Sequence, residues 1–188
     1  MPNRYQETAR GKMSQVFFIS DTHFGHRNIC KYRPFKTPKE HDDFIITRWN
    51  DTVRKKNKIV WVLGDMFIKN KLYDMSKILG KLNGTIKVIM GNHCEKSYYT
   101  YEMIQLSIIS KYGFWLSHAP IHPLELRGKR NIHGHVHNKT IPDDRYINVC
   151  CENVDYKPIS LDRIRNCGGG EVIANKSPVD LNGGGRCG

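Results

Sequence analysis

The stretch 16–28 reads VFFISDTHFGHRN, and it decides the fold. Its first part, Val16 to Ser20, is an apolar run that stops at Asp21. A buried central strand shows this pattern where it reaches the loop edge of a sheet, and functional residues tend to collect at such edges. We therefore predict that Asp21-Thr22-His23 lies at the end of a central strand.

Two further apolar runs end in the same way. Residues 58–63 (KIVWVL) stop at Gly64-Asp65, and residues 86–90 (IKVIM) stop at Gly91-Asn92-His93. Three shorter strands are predicted later in the chain, at residues 114–117, 131–132 and 145–149.

Helical patterns separate the first strands. Thr37-Pro38-Lys39-Glu40 predicts a helix start with Thr37 as N-cap and Glu40 closing a capping box. The residues of this helix expected to face the core are Phe44, Ile45, Trp49 and Val53. A second helix is predicted from the spacing of Leu72, Met75, Ile78, Leu79 and Leu82, before a turn at Asn83-Gly84. The strand, loop and helix rhythm predicts an α/β fold.

Metal-capable side chains follow five of the predicted strands. Besides the three segments above, these are Ser117-His118 and Gly134-His135-Val136-His137. Two divalent ions that share a phosphate need carboxylate and amide oxygens together with neutral imidazoles, and the five segments supply this mixture. Side chains two positions apart in extended backbone point the same way, so each D-x-H or H-x-H pair can address one cluster.

The order D-x-H, G-D, G-N-H, H and G-H-x-H between Asp21 and His137 resembles the signature of the calcineurin-like metallophosphoesterases. The stretches 20–28, 33–35 (RPF), 82–84 (LNG) and 156–161 (YKPISL) resemble a small single-domain bacterial and phage branch of that superfamily. The resemblance implies a four-layer α/β/β/α sandwich with metals at the ends of its central strands.

The resemblance also implies two divalent ions and seven ligands. It assigns the first ion to Asp21, His23 and His137, the second to Asn92, His118 and His135, and the bridging position to Asp65. Nitrogen and oxygen donors without thiolate favour manganese here, and iron, nickel or zinc also suit them.

The chemistry implied is phosphoester hydrolysis. A hydroxide shared by two ions has a lowered pKa and is expected to attack phosphorus in line, while His93 protonates the leaving group. The sequence departs from the superfamily pattern at two positions. Cys94 follows His93 where an acid is usual, and Ile68 stands three residues after Asp65, where an acid is often found.

Other polar residues near the motifs receive separate predictions. His26 and Arg33 are expected to contact the substrate phosphate. His122 and His133 are expected to be structural or to support the ligands. Four acids, Asp42, Asp43, Asp143 and Asp144, are expected to be helix-start and turn residues.

The predicted activity is that of a phosphodiesterase on nucleotides or related small phosphodiesters. The same site would also serve a nuclease or a phosphomonoesterase, and a non-catalytic metal-binding interaction module is a third hypothesis. The excess of 30 Lys and Arg over 18 Asp and Glu gives a net charge of +12, which favours anionic partners such as nucleotides or nucleic acids.

Length and composition predict one domain in the cytoplasm. A chain of 188 residues suits a single core, which we place at residues 15–165, between a polar extension at 1–14 and a flexible Gly- and Cys-containing tail at 166–188. The six cysteines show no regular framework, and no apolar run predicts a membrane span or signal peptide.

Overall fold

The computed structural model describes residues 16–68, 74–94, 97, 99–100, 102–105 and 107–167. The predicted N-terminal extension lies outside the described residues, and so do nearly all of the predicted tail and Leu72 of the predicted second helix. A domain boundary at either end therefore stays a prediction.

The described strands form two sheets. They are β1 (Val16–Ile19), β2 (Ile59–Leu63), β3 (Thr85–Ile89), β4 (Ile104–Gln105), β5 (Ile108–Lys111), β6 (Phe114–Ser117), β7 (Arg130–His133), β8 (Tyr146–Asn148) and β9 (Ile159–Ser160). The first sheet has the order β4-β3-β2-β1-β9, in which only the β1–β9 pairing is antiparallel. The second has the order β5-β6-β7-β8, in which only the β5–β6 pairing is antiparallel.

Helices flank the two sheets, as expected for the sandwich that the sequence predicts. They are α1 (Pro38–Thr52), α2 (Met75–Lys81) and α3 (Leu161–Asn166). The apolar strands of both sheets are buried in one core, in which Phe18, Leu63, Leu116 and Ile132 have no exposed surface. The predicted α/β fold with two sheets and outer helices is confirmed.

The two sheets meet beside the end of β1. Ser20 pairs with Cys150 in an isolated parallel bridge, in which the Ser20 amide donates to Val149 and the Cys151 amide donates to Ser20. The strand end that carries Asp21 is thereby hydrogen-bonded to both sheets. Side chains that follow the strands of either sheet can consequently lie close to Asp21.

Helix α1 begins as the sequence predicts, with one difference. The Thr37 side chain accepts a hydrogen bond from the Glu40 amide at 3.1 Å, which confirms it as the N-cap. The Glu40 carboxylate accepts from the Lys36 amide at 2.8 Å instead of from Thr37, so the box closes one residue earlier than predicted. Ile45, Trp49 and Val53 of the predicted apolar face are fully buried, whereas Phe44 is only partly buried.

None of the helices in the described part of the chain has the length and apolar character needed to cross a bilayer.

Candidate metal centre

The site forms at the carboxyl ends of five strands, because parallel strands bring these ends to the same edge. Asp21, Asp65 and Asn92 follow β1, β2 and β3 of the first sheet within a few residues. His118 and His135 follow β6 and β7 of the second sheet. Each predicted motif therefore lies directly after a strand, as the apolar runs indicated.

Much of this edge has left-handed backbone, which is uncommon for residues other than glycine. Five predicted ligands have positive φ: Asp21 (55°), His23 (49°), Asp65 (46°), His135 (72°) and His137 (50°). Such conformations cost of order 1–3 kcal/mol each and persist where the surroundings impose them, commonly at functional sites. The loops are thus shaped to direct side chains into the site.

Asp21, His23 and His137 form one group of metal-capable atoms. Their ligand atoms lie within 4.8 Å of one another. His23 Nε2 lies 3.7 Å from Asp21 Oδ1, and His137 Nε2 lies 4.0 Å from the same oxygen. The two imidazoles are stacked, with ring centroids 5.3 Å apart.

This group has unsatisfied buried atoms. Asp21 Oδ1 and both nitrogens of His23 are buried, and no residue in the described part of the chain hydrogen-bonds them. Buried polar atoms are almost always satisfied by protein, water or an ion, and carboxylate with imidazole is a common donor set for transition metals. The arrangement fits a divalent ion.

A second group is formed by Asp21, Asp65 and His118, again with ligand atoms within 4.8 Å of one another. His118 Nε2 lies 3.4 Å from Asp65 Oδ2 and 2.9 Å from Asn92 Oδ1. His135 Nδ1 lies 3.1 Å from the same amide oxygen and 3.2 Å from His118 Nε2. The structure thus brings all seven predicted ligands into two adjoining clusters.

The two aspartates are ionised in this setting. Burial raises the pKa of Asp21, but the neighbouring His23 imidazole, the charge of His118 and hydrogen bonds from Ser20 and His135 outweigh it and lower the net pKa. Burial likewise raises the pKa of Asp65, and His118 outweighs it, so this net pKa is also lowered. Both groups carry negative charge at neutral pH, as cation ligands must.

His93 and His26 line the open side of the site. His93 is exposed, and its ring centroid lies 6.2 Å from that of His23, while its amide donates to Asp65 Oδ1 at 2.9 Å. The ring of His26 lies 5.5 Å from that of His23 on the chain segment after the first motif. Burial and the neighbouring His23 lower the pKa of His26, which keeps it neutral.

A model for the family described as calcineurin-like phosphoesterase matches residues 14–166. The chain belongs to this family. The resemblance drawn from the motifs is thereby confirmed, and together with the metal-capable residues it supports metal-dependent hydrolysis of phosphoesters.

Relatives of this phosphoesterase include archaeal and phage proteins. An uncharacterised protein of Methanocaldococcus jannaschii is 40% identical over 164 residues, which span 81% of this chain and 90% of that protein. The gene 66 protein of Mycobacterium phage D29 is 34% identical over 83 residues, 43% of this chain and 41% of that protein. A crystal structure of a protein of unknown function from Aquifex aeolicus aligns with a TM-score of 0.62 and 28% identity, over 80% of this chain and 97% of that one.

Arg33, predicted to contact substrate, lies behind the phosphoesterase site. It is 4% exposed. Its Nη2 donates to the carbonyl oxygen of Asp21 at 2.7 Å, and its Nη1 donates to that of Thr22 at 3.3 Å. The guanidinium also pairs with Glu152, whose Oε1 lies 2.8 Å from Nη2 and 2.9 Å from Nε. Its donors therefore bind the backbone of the first motif from within the protein.

Glu152 connects Arg33 to a metal ligand. Its Oε1 lies 3.0 Å from His137 Nδ1, and this hydrogen bond raises the pKa of His137. A carboxylate that holds one imidazole nitrogen orients the other towards a metal and increases its basicity. Glu152 could not be identified from the sequence, because it lies outside the motifs and only the fold brings it beside His137.

His41 and Asp42 of α1 extend this buried network. Arg33 Nη1 lies 2.9 Å from His41 Nε2, and His41 Nδ1 lies 2.7 Å from Asp42 Oδ1. Because arginine only donates, His41 Nε2 accepts and the imidazole proton is on Nδ1. Asp42 Oδ2 accepts from the Gly25 amide at 2.9 Å, so this buried acid does more than begin a helix.

The acid missing from the usual pattern is replaced by a thiol that supports the loops. Cys94 Sγ accepts hydrogen bonds from the amides of Gly91 at 3.1 Å and Asp65 at 3.3 Å. The Tyr99 hydroxyl donates to the same sulfur at 3.6 Å. Burial raises the pKa of the Cys94 thiol, which keeps it neutral. Cys94 therefore joins the second and third motifs.

Glycines allow the motifs to pack this closely. A Cβ atom on Gly134 would overlap the Ser20 and Asp21 side chains, and one on Gly64 would overlap His118. At these positions only a residue without a side chain lets the ligand-bearing loops approach one another.

Proposed function

We propose that the protein is a dinuclear, metal-dependent phosphodiesterase that acts on nucleotides or related small phosphodiesters. The observation that carries the proposal is the pair of metal-capable groups that share Asp21. Adjacent groups of this kind suit two ions held close enough to act on one phosphate. The family supports hydrolysis of phosphoesters, and the net charge of +12 favours an anionic substrate.

In this proposal the seven ligands have the roles implied by the family. Asp21, His23 and His137 would hold one ion, Asn92, His118 and His135 would hold the other, and Asp65 would be a ligand to both. Two distances support a bridging role for Asp65. One of its carboxylate oxygens lies within 4.8 Å of a carboxylate oxygen of Asp21, and its Oδ2 lies 3.4 Å from His118 Nε2. Bound divalent ions, with manganese favoured and iron, nickel or zinc compatible, supply Lewis-acid activation of water and phosphate.

His93 is proposed as the general acid. Its side chain is exposed on the open side of the site, close to His23, while its amide is hydrogen-bonded to Asp65. The ring can therefore approach a substrate while the backbone stays fixed. His26, half-buried beside His23, is proposed to contact the phosphate.

Replacing His93 by Asn is expected to affect poor leaving groups most. A well-placed proton donor contributes roughly 10²–10⁴-fold to the rate when the departing alkoxide is basic, and much less when it is stable. We expect a loss in that range for an alkyl ester and a loss below about ten-fold for a p-nitrophenyl ester. Steady-state rates of one variant on the two esters measure this difference, and equal losses would contradict the role.

A substrate panel tests the proposed activity. Protein loaded with Mn²⁺ is expected to hydrolyse bis(p-nitrophenyl) phosphate with a higher kcat/KM than p-nitrophenyl phosphate, and to cleave cyclic dinucleotides or 2′,3′-cyclic nucleotides faster than single-stranded oligonucleotides. Greater activity on the monoester would favour a phosphomonoesterase, and greater activity on oligonucleotides a nuclease. Failure with every divalent ion would refute hydrolysis and leave the non-catalytic module.

A further inference from the structure

A largely apolar cavity opens beside the second group of ligands. Its volume is about 590 Å³, and Met90, Ile108, Trp115, Ile121 and His118 are among the residues that line it. This volume is in the range of small-molecule sites, which are typically apolar with a few polar groups at one end. The cavity has no role in the chemistry described above.

Two ligand-bearing segments contribute to the wall of this cavity. His118 itself contributes to the wall, and Met90 precedes the Gly91-Asn92-His93 motif. A group that occupies the cavity is therefore adjacent to the place where Asn92 Oδ1 and His118 Nε2 lie 2.9 Å apart. A phosphoester bound at the ligands can place an organic substituent against apolar walls in this direction.

Other residues of the cavity wall carry apolar surface that the protein leaves at least partly exposed. Ile108 lies on β5, at the edge of the second sheet, and is 50% exposed. Trp115 on β6 is partly buried and its indole N–H donates to Leu126 at 2.8 Å, so the polar atom of this side chain is already satisfied. The two residues can therefore contact a bound group through the aliphatic side chain of Ile108 and the indole ring of Trp115.

The carboxylate and the guanidinium at the cavity wall are paired with each other. Arg127 and Glu125 both line it, and the Arg127 Nη2 atom lies 3.1 Å from Glu125 Oε2. A second phosphate or another charged substituent would gain little net attraction from this pair. The walls match an uncharged occupant.

From this we infer that the cavity binds the uncharged organic group of the phosphoester, a ring-containing moiety of up to nucleoside size. The inference rests on the proposed function in one respect, namely that the phosphoryl group lies at the metal centre. The inference adds two things to that proposal: the side of the metal centre on which the organic group lies, and a preference for substrates with a ring. Small alkyl phosphoesters leave this apolar wall solvated, whereas aromatic or nucleoside esters cover it.

Two phosphonates that the protein cannot hydrolyse at a P–O ester bond separate binding from turnover. Phenylphosphonate and methylphosphonate carry the same head group and differ in the ring. Calorimetric titration of the Mn²⁺-loaded protein is expected to show at least about ten-fold tighter binding of phenylphosphonate, because the ring removes apolar surface from water. The ratio of the two dissociation constants is the readout.

A matched pair of substitutions tests whether the preference for the ring arises in the cavity. Ile108→Glu introduces a charge into the wall at a half-exposed position and is expected to reduce the ratio to about two or less. Leu124→Glu makes the same change of charge at an 82% exposed leucine that does not line the cavity, and is expected to leave the ratio unchanged. Far-ultraviolet circular dichroism of both variants checks that they fold.

The outcomes distinguish this inference from the proposed activity. Equal affinities in the parent protein, or equal loss of preference in the two variants, would overturn the inference whatever the activity on phosphodiesters. Preferential binding that Ile108→Glu alone removes would uphold it, even if the protein hydrolysed none of the diesters in the panel.

Discussion

Asp65→Asn is expected to abolish hydrolysis of bis(p-nitrophenyl) phosphate, with a loss of roughly 10³-fold or more. Asp65 is buried and ionised, and its carboxylate belongs to the group formed with Asp21 and His118, where the proposed ligand set gives it a bridging role. An amide of the same shape removes one negative charge from the centre. Metal ions contribute several kcal/mol of transition-state stabilisation, which corresponds to this change in rate.

Metal binding gives a second readout for the same variant. Because Asp21 and Asp65 are close, their repulsion is relieved either by an ion or by the substitution. We expect the Mn²⁺-free variant to be no less stable than the parent, and the rise in Tm on adding Mn²⁺ to be smaller. Differential scanning fluorimetry with and without Mn²⁺, together with metal analysis, measures both effects.

Asp43→Asn is the matched control for this experiment. Asp43 is partly exposed on α1 and forms an ion pair with Lys39 one turn earlier. The same chemical change there should leave activity and the metal-induced rise in Tm at parent values. Parent-like activity of Asp65→Asn, or equal losses in both variants, would contradict a ligand role for Asp65.

Arg33→Lys is expected to weaken the first metal group and the fold together. Lysine keeps the charge but offers a single nitrogen in place of the guanidinium fork that reaches Asp21, Thr22 and Glu152. Buried acceptors left without donors cost about 1–3 kcal/mol each, so we expect a loss of about 2–4 kcal/mol in the free energy of unfolding. Affinity for the first ion should fall roughly 10–100-fold.

Urea denaturation and metal titration measure these two quantities, and Arg48→Lys is the control. Arg48 lies on α1, is partly exposed and pairs with Asp155, which is not one of the predicted ligands. The control should change the free energy of unfolding by less than about 1 kcal/mol. If Arg33→Lys kept parent stability and metal affinity but raised KM, Arg33 would instead contact the substrate, as its position after the first motif first indicated.

The framework of the site could be predicted from the sequence because it depends on local patterns. A buried strand is apolar over its whole length, and a polar residue directly after it must lie at an edge of the sheet. Asp21, Asp65 and Asn92 follow such runs, and their metal-capable side chains follow from residue type alone. The N-cap at Thr37 is local in the same sense, and the structure has it where it was predicted.

Contacts across the chain could not be predicted in this way. The Arg33–Glu152 pair joins residues 119 positions apart, and neither residue belongs to a periodic pattern that would reveal the other. In the sequence, Arg33 is a cation in the loop after the first metal motif. This position predicts a contact with the substrate phosphate. Its burial follows from the packing of α1 and of the segment after β8 against that loop.

The sequence by itself determined which residues can bind a metal and that they follow strands, since strand ends and donor chemistry are properties of short segments. The tertiary structure decided that donors from two sheets meet in two groups sharing Asp21, that buried Arg33 and partly buried Glu152 support them, and that an apolar cavity opens beside His118. These features arise only when distant segments pack, because distances between them are fixed by the shared core and not by any local pattern.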